Sequence, residues 1–264
     1  MKSIAHVLAL SVAAVFATTL PALSQTAPQQ ATAPACAATS ETSRLGQTLS
    51  HTARRLALGE PLTIVAVGSS STAGAGASSP AMSYPSRLEA ELRARFPGIP
   101  IKVINRGVNG EEAPQMLARF ESTVLSEHPD LVLWQVGTNA VLRDHATGMA
   151  PLVDEGIQRL KASGADIVLI DPQYAPKVIA KPNVEAMVDL IAKAAKAGNT
   201  GLFQRFAIMR QWNQGQGVPF EAVLSADGLH MNDWSYGCIA RLLAVAIADS
   251  ARAPAVARVP TSAR

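Results

Sequence analysis

Cysteine, histidine and aromatic side chains are scarce in this sequence. Its 264 residues include 2 cysteines and 5 histidines, and only 5% of them are aromatic. The histidines are scattered, without the short spacing that lets two side chains bind one metal ion, so we expect no metal site. Charged residues make up 16% of the chain, and the formal net charge of +3 is spread rather than clustered. A nucleic-acid partner is therefore not expected.

Two nucleotide-binding fingerprints are also missing. A P-loop needs a lysine followed by Ser or Thr after its second glycine, but Ala73 stands at the fifth position after Gly68 and no lysine follows. A dinucleotide fingerprint needs glycines that open directly onto a helix, and the run around Gly74 and Gly76 fits this pattern poorly. We therefore expect no nucleotide cofactor.

The first 24 residues have the pattern of a signal peptide. A short, positively charged segment precedes the apolar run 4–20. Ala22 and Ser24 are small residues at the positions that a signal peptidase recognises. We expect cleavage after Ser24 rather than a membrane anchor, because the apolar run is short and Pro21 ends it. The sequence thus predicts a periplasmic or secreted protein with no stable membrane insertion after cleavage.

Two further stretches lack an apolar period. Residues 25–40 are rich in Ala, Pro, Thr and Gln, which is typical of a linker, and residues 253–264 form a comparable C-terminal tail. Between them, residues 41–252 show no repeat and no internal linker. With 48% hydrophobic residues in the chain, this length can bury one substantial core, so we expect a single domain there.

Apolar runs alternate with amphipathic stretches along this domain. The predicted strands are 62–68, 101–107, 131–137 and 166–171, with a weaker strand or helix near 201–212. The predicted helices are 84–98, 113–123, 150–164, 183–197 and about 232–250. Such alternation predicts the α/β class, with a mainly parallel sheet that is covered by helices on both faces.

Polar, glycine-containing segments follow the predicted strands. They are residues 69–71, 105–111, 137–140 and 171–174, and a further one, 225–233, precedes the last helix. The carboxyl ends of parallel strands meet at one edge of a sheet, where ligands bind in folds of this class. Loops are polar in any case, so these segments give the place of a candidate site but not its chemistry.

Asp227 and His230 are the most specific pair of candidate catalytic residues in these segments. At this spacing on a turn, a carboxylate can contact Nδ1 of the imidazole and leave Nε2 to act as a base. The same pattern also caps helices at protein surfaces. Asp171, which ends a strand at the same edge, is the alternative acid, and His145, which follows the third strand, is the alternative base. We favour Asp227 and His230 because their contact is built locally.

The other parts of a serine hydrolase are available at the same edge. Ser69, Ser70 and Ser71 follow the first strand and include a candidate nucleophile, although this reasoning does not single out one of the three. Gly110 can bring a backbone N–H close to a developing oxyanion because it has no Cβ. Asn139 can donate from its side-chain amide. The combination predicts acyl transfer through a serine.

Four blocks of the sequence, in order, resemble the SGNH hydrolase family, also called the GDSL esterase/lipase family. The blocks are residues 68–72, 105–110, 137–140 and 227–230. The resemblance spans about residues 62–245 and implies a three-layer, flavodoxin-like sandwich with a mainly parallel five-stranded sheet. It implies Ser70, His230 and Asp227 as the catalytic triad. The backbone amides of Ser70 and Gly110 and the side chain of Asn139 are the implied oxyanion hole.

The resemblance implies a carboxylic ester hydrolase that uses neither a metal nor a cofactor. Few aromatic residues favour short acyl groups, with acetyl esters on a polysaccharide or peptidoglycan as one option. Two alternatives stay open: an O-acyltransferase that acts on an envelope polysaccharide, and a carbohydrate-binding relative with weak catalysis. Two positions depart from the family pattern, because Ser69 and Ala140 stand where Asp is usual. Nothing in the sequence indicates the oligomeric state.

The two cysteines, Cys36 and Cys238, both remain after the expected cleavage. An exported chain folds where thiols oxidise, and an even count favours pairing. We therefore predict a Cys36–Cys238 disulfide that ties the N-terminal segment to the helix following His230. The alternative is a buried, reduced Cys238 that packs as a small hydrophobic side chain.

Overall fold

The computed structural model describes residues 35–252. The predicted signal peptide, residues 25–34 of the predicted linker and the predicted tail lie outside the described residues. Within 35–252, the strands are β1 (Leu62–Gly68), β2 (Ile101–Gly107), β3 (Leu131–Gln135), β4 (Asp166–Ile170) and β5 (Gly201–Phe203). The α-helices of the same range are α1 (Ser50–Leu58), α2 (Ser70–Ala73), α3 (Tyr84–Arg95), α4 (Ala113–Ala118), α5 (Thr138–Leu142), α6 (Met149–Ala162), α7 (Pro176–Ile179), α8 (Val184–Ala197), α9 (Arg205–Arg210), α10 (Phe220–Val223) and α11 (Asp233–Ser250).

The five strands form one parallel sheet in the order β2-β1-β3-β4-β5. The predicted α/β class and five-stranded, flavodoxin-like sheet are therefore confirmed. From β1 the chain moves outward to β2, then returns across β1 to build β3, β4 and β5 on the other side. This reversal opens a crevice between the carboxyl ends of β1 and β3, which is where sheets of this order bind their ligands.

Helices cover the sheet in two groups. On one side α3 packs against α11 and β2, and on the other α6 packs against α4 and α8. Close packing in the second group depends on Gly156 in α6, because a Cβ at this position would lie 2.2 Å from the indole ring of Trp134 in β3. Trp134 is fully buried and meets Phe120 edge to face at 5.2 Å between ring centroids. No helix within residues 35–252 has both the length and the apolar character to cross a bilayer.

Several predicted boundaries differ from the structure by a few residues, and two of these differences have a clear local cause. The strand expected at 131–137 ends at Gln135, because Gly137 takes a φ of +98° and turns the chain into α5. The helix expected at 113–123 ends at Ala118 and continues as a π-helical turn, Phe120–Val124. α4 ends where Arg119 leaves the helical conformation, with a φ of −112° and a ψ of 5°, and its backbone N–H donates to the Met116 carbonyl oxygen at 3.2 Å.

Cys36 and Cys238 form a disulfide with 5.2 Å between their Cα atoms, as predicted. The segment around Cys36 is also held by hydrogen bonds. Trp212 Nε1 donates to the Ala37 carbonyl oxygen at 2.9 Å, and Thr39 N donates to the side chain of Gln211 at 3.1 Å. The N-terminal part of the described chain is therefore fixed to α11 covalently and to the turn that follows α9 by polar contacts.

Candidate active site

Ser70 is the first residue of α2 and follows the carboxyl end of β1. The turn between strand and helix is tight, because a Cβ on Gly68 would lie 2.3 Å from Thr72 Oγ1. Ser69 and Ser71 are buried at 2% and 1% exposure, whereas Ser70 is half-buried. Ser70 is therefore the serine of the three that is accessible to a substrate.

One imidazole connects Ser70 to a carboxylate. His230 Nε2 lies 2.8 Å from Ser70 Oγ, and His230 Nδ1 lies 2.5 Å from Asp227 Oδ2. A neutral imidazole that donates Nδ1–H to the carboxylate has its lone pair on Nε2, where it accepts the serine O–H. Gly76 allows this approach of the two loops, because a Cβ at Gly76 would lie 2.5 Å from the Met231 carbonyl oxygen.

The two carboxylate oxygens of Asp227 have different partners. Oδ1 accepts hydrogen bonds from Ser225 Oγ and from the backbone N–H groups of Leu229 and His230, at 2.8 to 2.9 Å. Oδ2 contacts the imidazole. Partial burial acts to raise the pKa of Asp227, but the hydrogen bonds from His230, Leu229 and Ser225 outweigh it and hold the pKa well below its usual range. Asp227 thus shapes the turn and orients the ring while it remains ionised.

Asp171, the alternative acid, has other contacts. It is 1% exposed; its Oδ1 accepts from Phe206 N at 2.9 Å, and its main-chain oxygen accepts from Arg205 Nε at 3.0 Å. Burial raises the pKa of the Asp171 carboxyl to about 7, although the hydrogen bond from Phe206 and the charge of Arg205 act in the opposite direction. The structure therefore packs Asp171 against α9 and places Asp227 against the imidazole.

Gly110 and Asn139 come together beside the end of β1. The loop after β2 is attached there by a hydrogen bond from Val108 N to the Gly68 carbonyl oxygen at 3.0 Å. Gly110 lies exposed in this loop with a φ of +80°, a conformation that favours glycine. Asn139 Nδ2 donates to the Glu111 carbonyl oxygen at 2.8 Å. The two implied oxyanion donors therefore belong to one connected loop cluster.

Charged side chains border this cluster. Arg143 Nη1 donates to the Gly110 carbonyl oxygen at 2.8 Å and to Glu112 Oε1 at 2.6 Å. His145, the alternative base, has its Nδ1 3.1 Å from Glu112 Oε2, and its side chain is 62% exposed. His145 is therefore paired with a surface carboxylate, whereas His230 is the histidine in contact with a serine.

Two buried glutamines anchor the outer serines of the turn. Gln135 Oε1, at the end of β3, accepts from Ser69 N at 3.0 Å and from Ser69 Oγ at 3.1 Å. Gln173, which follows β4, accepts from Ser71 Oγ at 3.2 Å. Ser69 and Ser71 therefore hold the turn in place through these hydrogen bonds, and the hydroxyl of Ser70 between them stays accessible. Ser69, which departs from the usual Asp, here forms a neutral hydrogen-bonded pair with Gln135.

The roles of Gln135, Gln173 and Arg143 were missed by the sequence reasoning. Gln135 had a weak signal, because it is a polar residue within the apolar run 131–137. The signal for Gln173 is its place in the polar segment 171–174, just past the end of a predicted strand. Among residues 35–252, no group of three or more His, Cys, Asp or Glu side chains is arranged to hold a metal ion.

The chain is similar in sequence to known hydrolases. The model of the Non-GDSL lipase-like family matches residues 35–253. An acetylxylan esterase of Geobacillus stearothermophilus is 35% identical over 54 residues, which are 20% of this chain and 25% of that protein. Esterase TesA of Pseudomonas aeruginosa is 28% identical over 142 residues, 50% of this chain and 63% of TesA. The matches thus cover less than two thirds of either relative.

Solved structures share the fold at low identity. A two-domain esterase (CEX) active on acetylated mannans, co-crystallised with mannopentaose, has a TM-score of 0.68 at 20% identity, covering 80% of this chain and 56% of that one. A catalytic mutant of Axe2, an acetylxylan esterase from Geobacillus stearothermophilus, has a TM-score of 0.61 at 19% identity, and the match covers 72% of this chain and 95% of that one. The crystal structure of TesA has a TM-score of 0.61 at 23% identity, and the match covers 71% of this chain and 99% of that one.

Proposed function

The chain belongs to the Non-GDSL lipase-like family, which confirms the resemblance to SGNH hydrolases, and from this membership we propose that it is a serine esterase. The single observation that carries the proposal is the contact of His230 with both Ser70 Oγ and Asp227 Oδ2. This arrangement contains the three groups of a catalytic triad: a nucleophile, a base, and an acid that orients the base. In our proposal Ser70 is the nucleophile, His230 the base and Asp227 the orienting acid.

The proposed reaction begins with proton transfer from Ser70 Oγ to His230 Nε2 as Oγ attacks the ester carbonyl carbon. Asp227 accepts the hydrogen bond from Nδ1 and stabilises the imidazolium that forms. Collapse of the tetrahedral intermediate breaks the bond to the alcohol oxygen, which takes the proton from Nε2. Water then attacks the acyl-serine with His230 again as base, and the carboxylic acid leaves as Ser70 regains its proton.

The proposed oxyanion hole consists of the backbone N–H groups of Ser70 and Gly110 and the side-chain amide of Asn139. Among residues 35–252, neither backbone N–H has a hydrogen-bond acceptor. The Asn139 amide uses one N–H on Glu111 and has a second N–H to donate. Donors that are fixed before the reaction stabilise charge as it develops, without reorganising at that moment.

For the substrate, we propose short-acyl esters, with acetyl groups on carbohydrate as the first class to test. Two relatives support this choice by what they act on: the acetylxylan esterase, and the CEX esterase active on acetylated mannans. The chain itself has few aromatic residues for a long acyl group.

We also propose export to the periplasm or the exterior. The support is the signal-peptide pattern of the first 24 residues together with the Cys36–Cys238 disulfide, since such bonds persist in oxidising compartments. Sequencing the N-terminus of the protein recovered from the periplasm or the medium tests the proposal. A mature chain that begins at Gln25 supports it, and a chain that keeps Met1 contradicts it.

The test of the activity combines a nucleophile probe with a substrate panel. A fluorophosphonate should label wild-type protein on Ser70, and Ser70→Ala should abolish both labelling and turnover. Ser69→Ala and Ser71→Ala are the matched controls, and both should still be labelled on Ser70. Label on Ser69 or Ser71, or full activity in Ser70→Ala, contradicts the assignment.

The panel consists of p-nitrophenyl esters from acetate to octanoate and an acetylated xylan, each with and without a free sugar acceptor. We expect the acetate ester to be cleaved faster than the octanoate ester, and acetate to be released from the xylan. Preference for octanoate would contradict the short-acyl proposal. Acyl transfer to the sugar without release of acid would replace hydrolysis by the acyltransferase reaction.

A further inference from the structure

Gln173 lies just past the end of β4, and its side chain is buried beneath the proposed active site at 1% exposure. Its Oε1 accepts from Ser71 Oγ at 3.2 Å and from Thr138 Oγ1 at 3.1 Å. Its Nε2 donates to the Leu229 carbonyl oxygen at 3.5 Å. One side chain thus bonds to three segments that are far apart in sequence.

Each of these three partners is the immediate neighbour of a residue in the proposed machinery. Ser71 follows Ser70, and Thr138 precedes Asn139. The same holds for Leu229, which precedes His230. Gln173 therefore connects the turn of the nucleophile, the helix of the oxyanion donor and the loop of the base.

We propose that Gln173 is a positioning residue that sets the distances between Ser70, Asn139 and His230. The inference rests on the proposed function and deepens it. A primary amide suits this place because its oxygen has two lone pairs for two hydroxyl donors while its nitrogen donates to a carbonyl. A carboxylate has no donor for Leu229, and an apolar side chain would leave two buried hydroxyl groups without their acceptor.

The distances in the site indicate how much the loss of Gln173 should slow the reaction. Transfer of a proton between Ser70 and His230 depends on a contact of 2.8 Å, and displacing reacting groups by about 1 Å can cost roughly a hundredfold in rate. Gln173 touches neither Ser70, Asn139 nor His230 directly in the hydrogen bonds of residues 35–252. Its loss should therefore slow the reaction steps and leave the binding of the ground-state ester almost unchanged.

Gln135 offers a matched comparison. It is equally buried, at 1% exposure, and its Oε1 accepts from Ser69 and, at 3.4 Å, from Thr72. These partners all belong to the serine turn. Gln135 has no hydrogen bond to the loop of His230 among the described residues, so replacing it perturbs the turn alone.

The experiment compares wild type with Gln173→Met, Gln173→Glu and Gln135→Met. For each we measure kcat and KM with p-nitrophenyl acetate, the melting temperature, and the low-field proton NMR signal of the His230 Nδ1–H. Phosphonate titration of Ser70 normalises kcat to the competent fraction. We expect Gln173→Met to lower kcat at least tenfold, with KM within about twofold of wild type, and to shift the NMR signal.

Gln173→Glu should recover only part of the lost kcat, because its carboxyl oxygens accept from both hydroxyl groups but a carboxylate has no donor for the Leu229 carbonyl oxygen. Gln135→Met should leave the His230 signal in place. Unchanged kcat in Gln173→Met, or a higher KM at constant kcat, overturns the inference. If wild type neither cleaves the ester nor reacts with the phosphonate, the proposed function fails, and the NMR signal alone tests the role of Gln173. An unshifted His230 signal in Gln173→Met then overturns the inference. A shift in Gln173→Met that is absent in Gln135→Met supports it.

Discussion

Asn139 and Glu111 follow different strands and are joined by a hydrogen bond of 2.8 Å from Nδ2 to the Glu111 carbonyl oxygen. The bond fixes the plane of the Asn139 amide, and with it the direction of the second N–H. The loop that carries Gly110 and the helix that carries Asn139 are therefore aligned before any substrate binds.

Replacing Asn139 should affect turnover far more than binding. We expect Asn139→Ala to lower kcat on the order of a hundredfold or more with little change in KM, which is the usual cost of losing one oxyanion donor. The measurement is steady-state kinetics on a short ester, with the melting temperature of each variant as control. A fall in melting temperature with normal kinetics of the folded fraction would show that Asn139 only holds the loops together.

Asp227 and Asp171 should differ in their effect on catalysis. We expect Asp227→Asn to lower kcat about a thousandfold or more, because an amide does not hold the imidazole in the required tautomer. Asp171→Asn should stay close to wild type, since the Asn oxygen can still accept from Phe206 N. Both variants are compared by kcat at one pH. The reverse ranking would make Asp171 the catalytic acid.

The buried carboxyl of Asp171 should make stability depend on pH. Its pKa is raised from the ordinary value of 3.8 to about 7, so between these values the folded chain binds more protons than the unfolded chain. The stabilisation is therefore complete below about pH 4 and is lost as the pH rises through about 7. Asp171→Asn lacks this loss.

The check is urea unfolding of wild type and Asp171→Asn at several pH values from 4 to 8. Other titrating groups largely cancel in the difference between the two proteins. We expect the free energy of unfolding of Asp171→Asn to rise relative to wild type as the pH increases. A constant difference across this range would contradict the raised pKa.

Reduction of the disulfide should destabilise the fold. The bond closes a loop with a sequence separation of 202 residues, and removing such a link costs about 2–4 kcal/mol. Dithiothreitol should therefore lower the melting temperature of wild type. Cys36→Ser is the matched control, because it leaves buried Cys238 in place and should melt at the same temperature with or without the reductant. Thiol titration of the denatured, unreduced wild type should find no thiol, and two thiols per chain would refute the bond.

The elements with clear periodicity were predictable from sequence. β1, β2 and the helices near 84, 150, 184 and 233 have observed bounds within a few residues of the predicted ones, because buried strands and amphipathic helices leave regular patterns. The contact of Asp227 with His230 was also expected, since both residues lie on one turn. Patterns that are local in sequence were thus read correctly.

Contacts between distant segments were not predictable in the same way. The bonds of Gln173 to Ser71, Thr138 and Leu229 depend on the register of three strand ends and on side-chain rotamers, which no local pattern specifies. The end of α4 differs from the prediction because the backbone of Arg119 leaves the helical conformation, and no Gly or Pro at this point of the sequence signals the change.

The disulfide also has a consequence for a chain that has been cut. Every residue proposed to take part in the reaction lies between Cys36 and Cys238. A single proteolytic nick in any loop of this span leaves two fragments that stay joined through sulfur. The nicked protein would keep both fragments at the high effective concentration that favours their reassembly. It would migrate as two bands only after reduction, so a chain that has been cut once would remain one molecule.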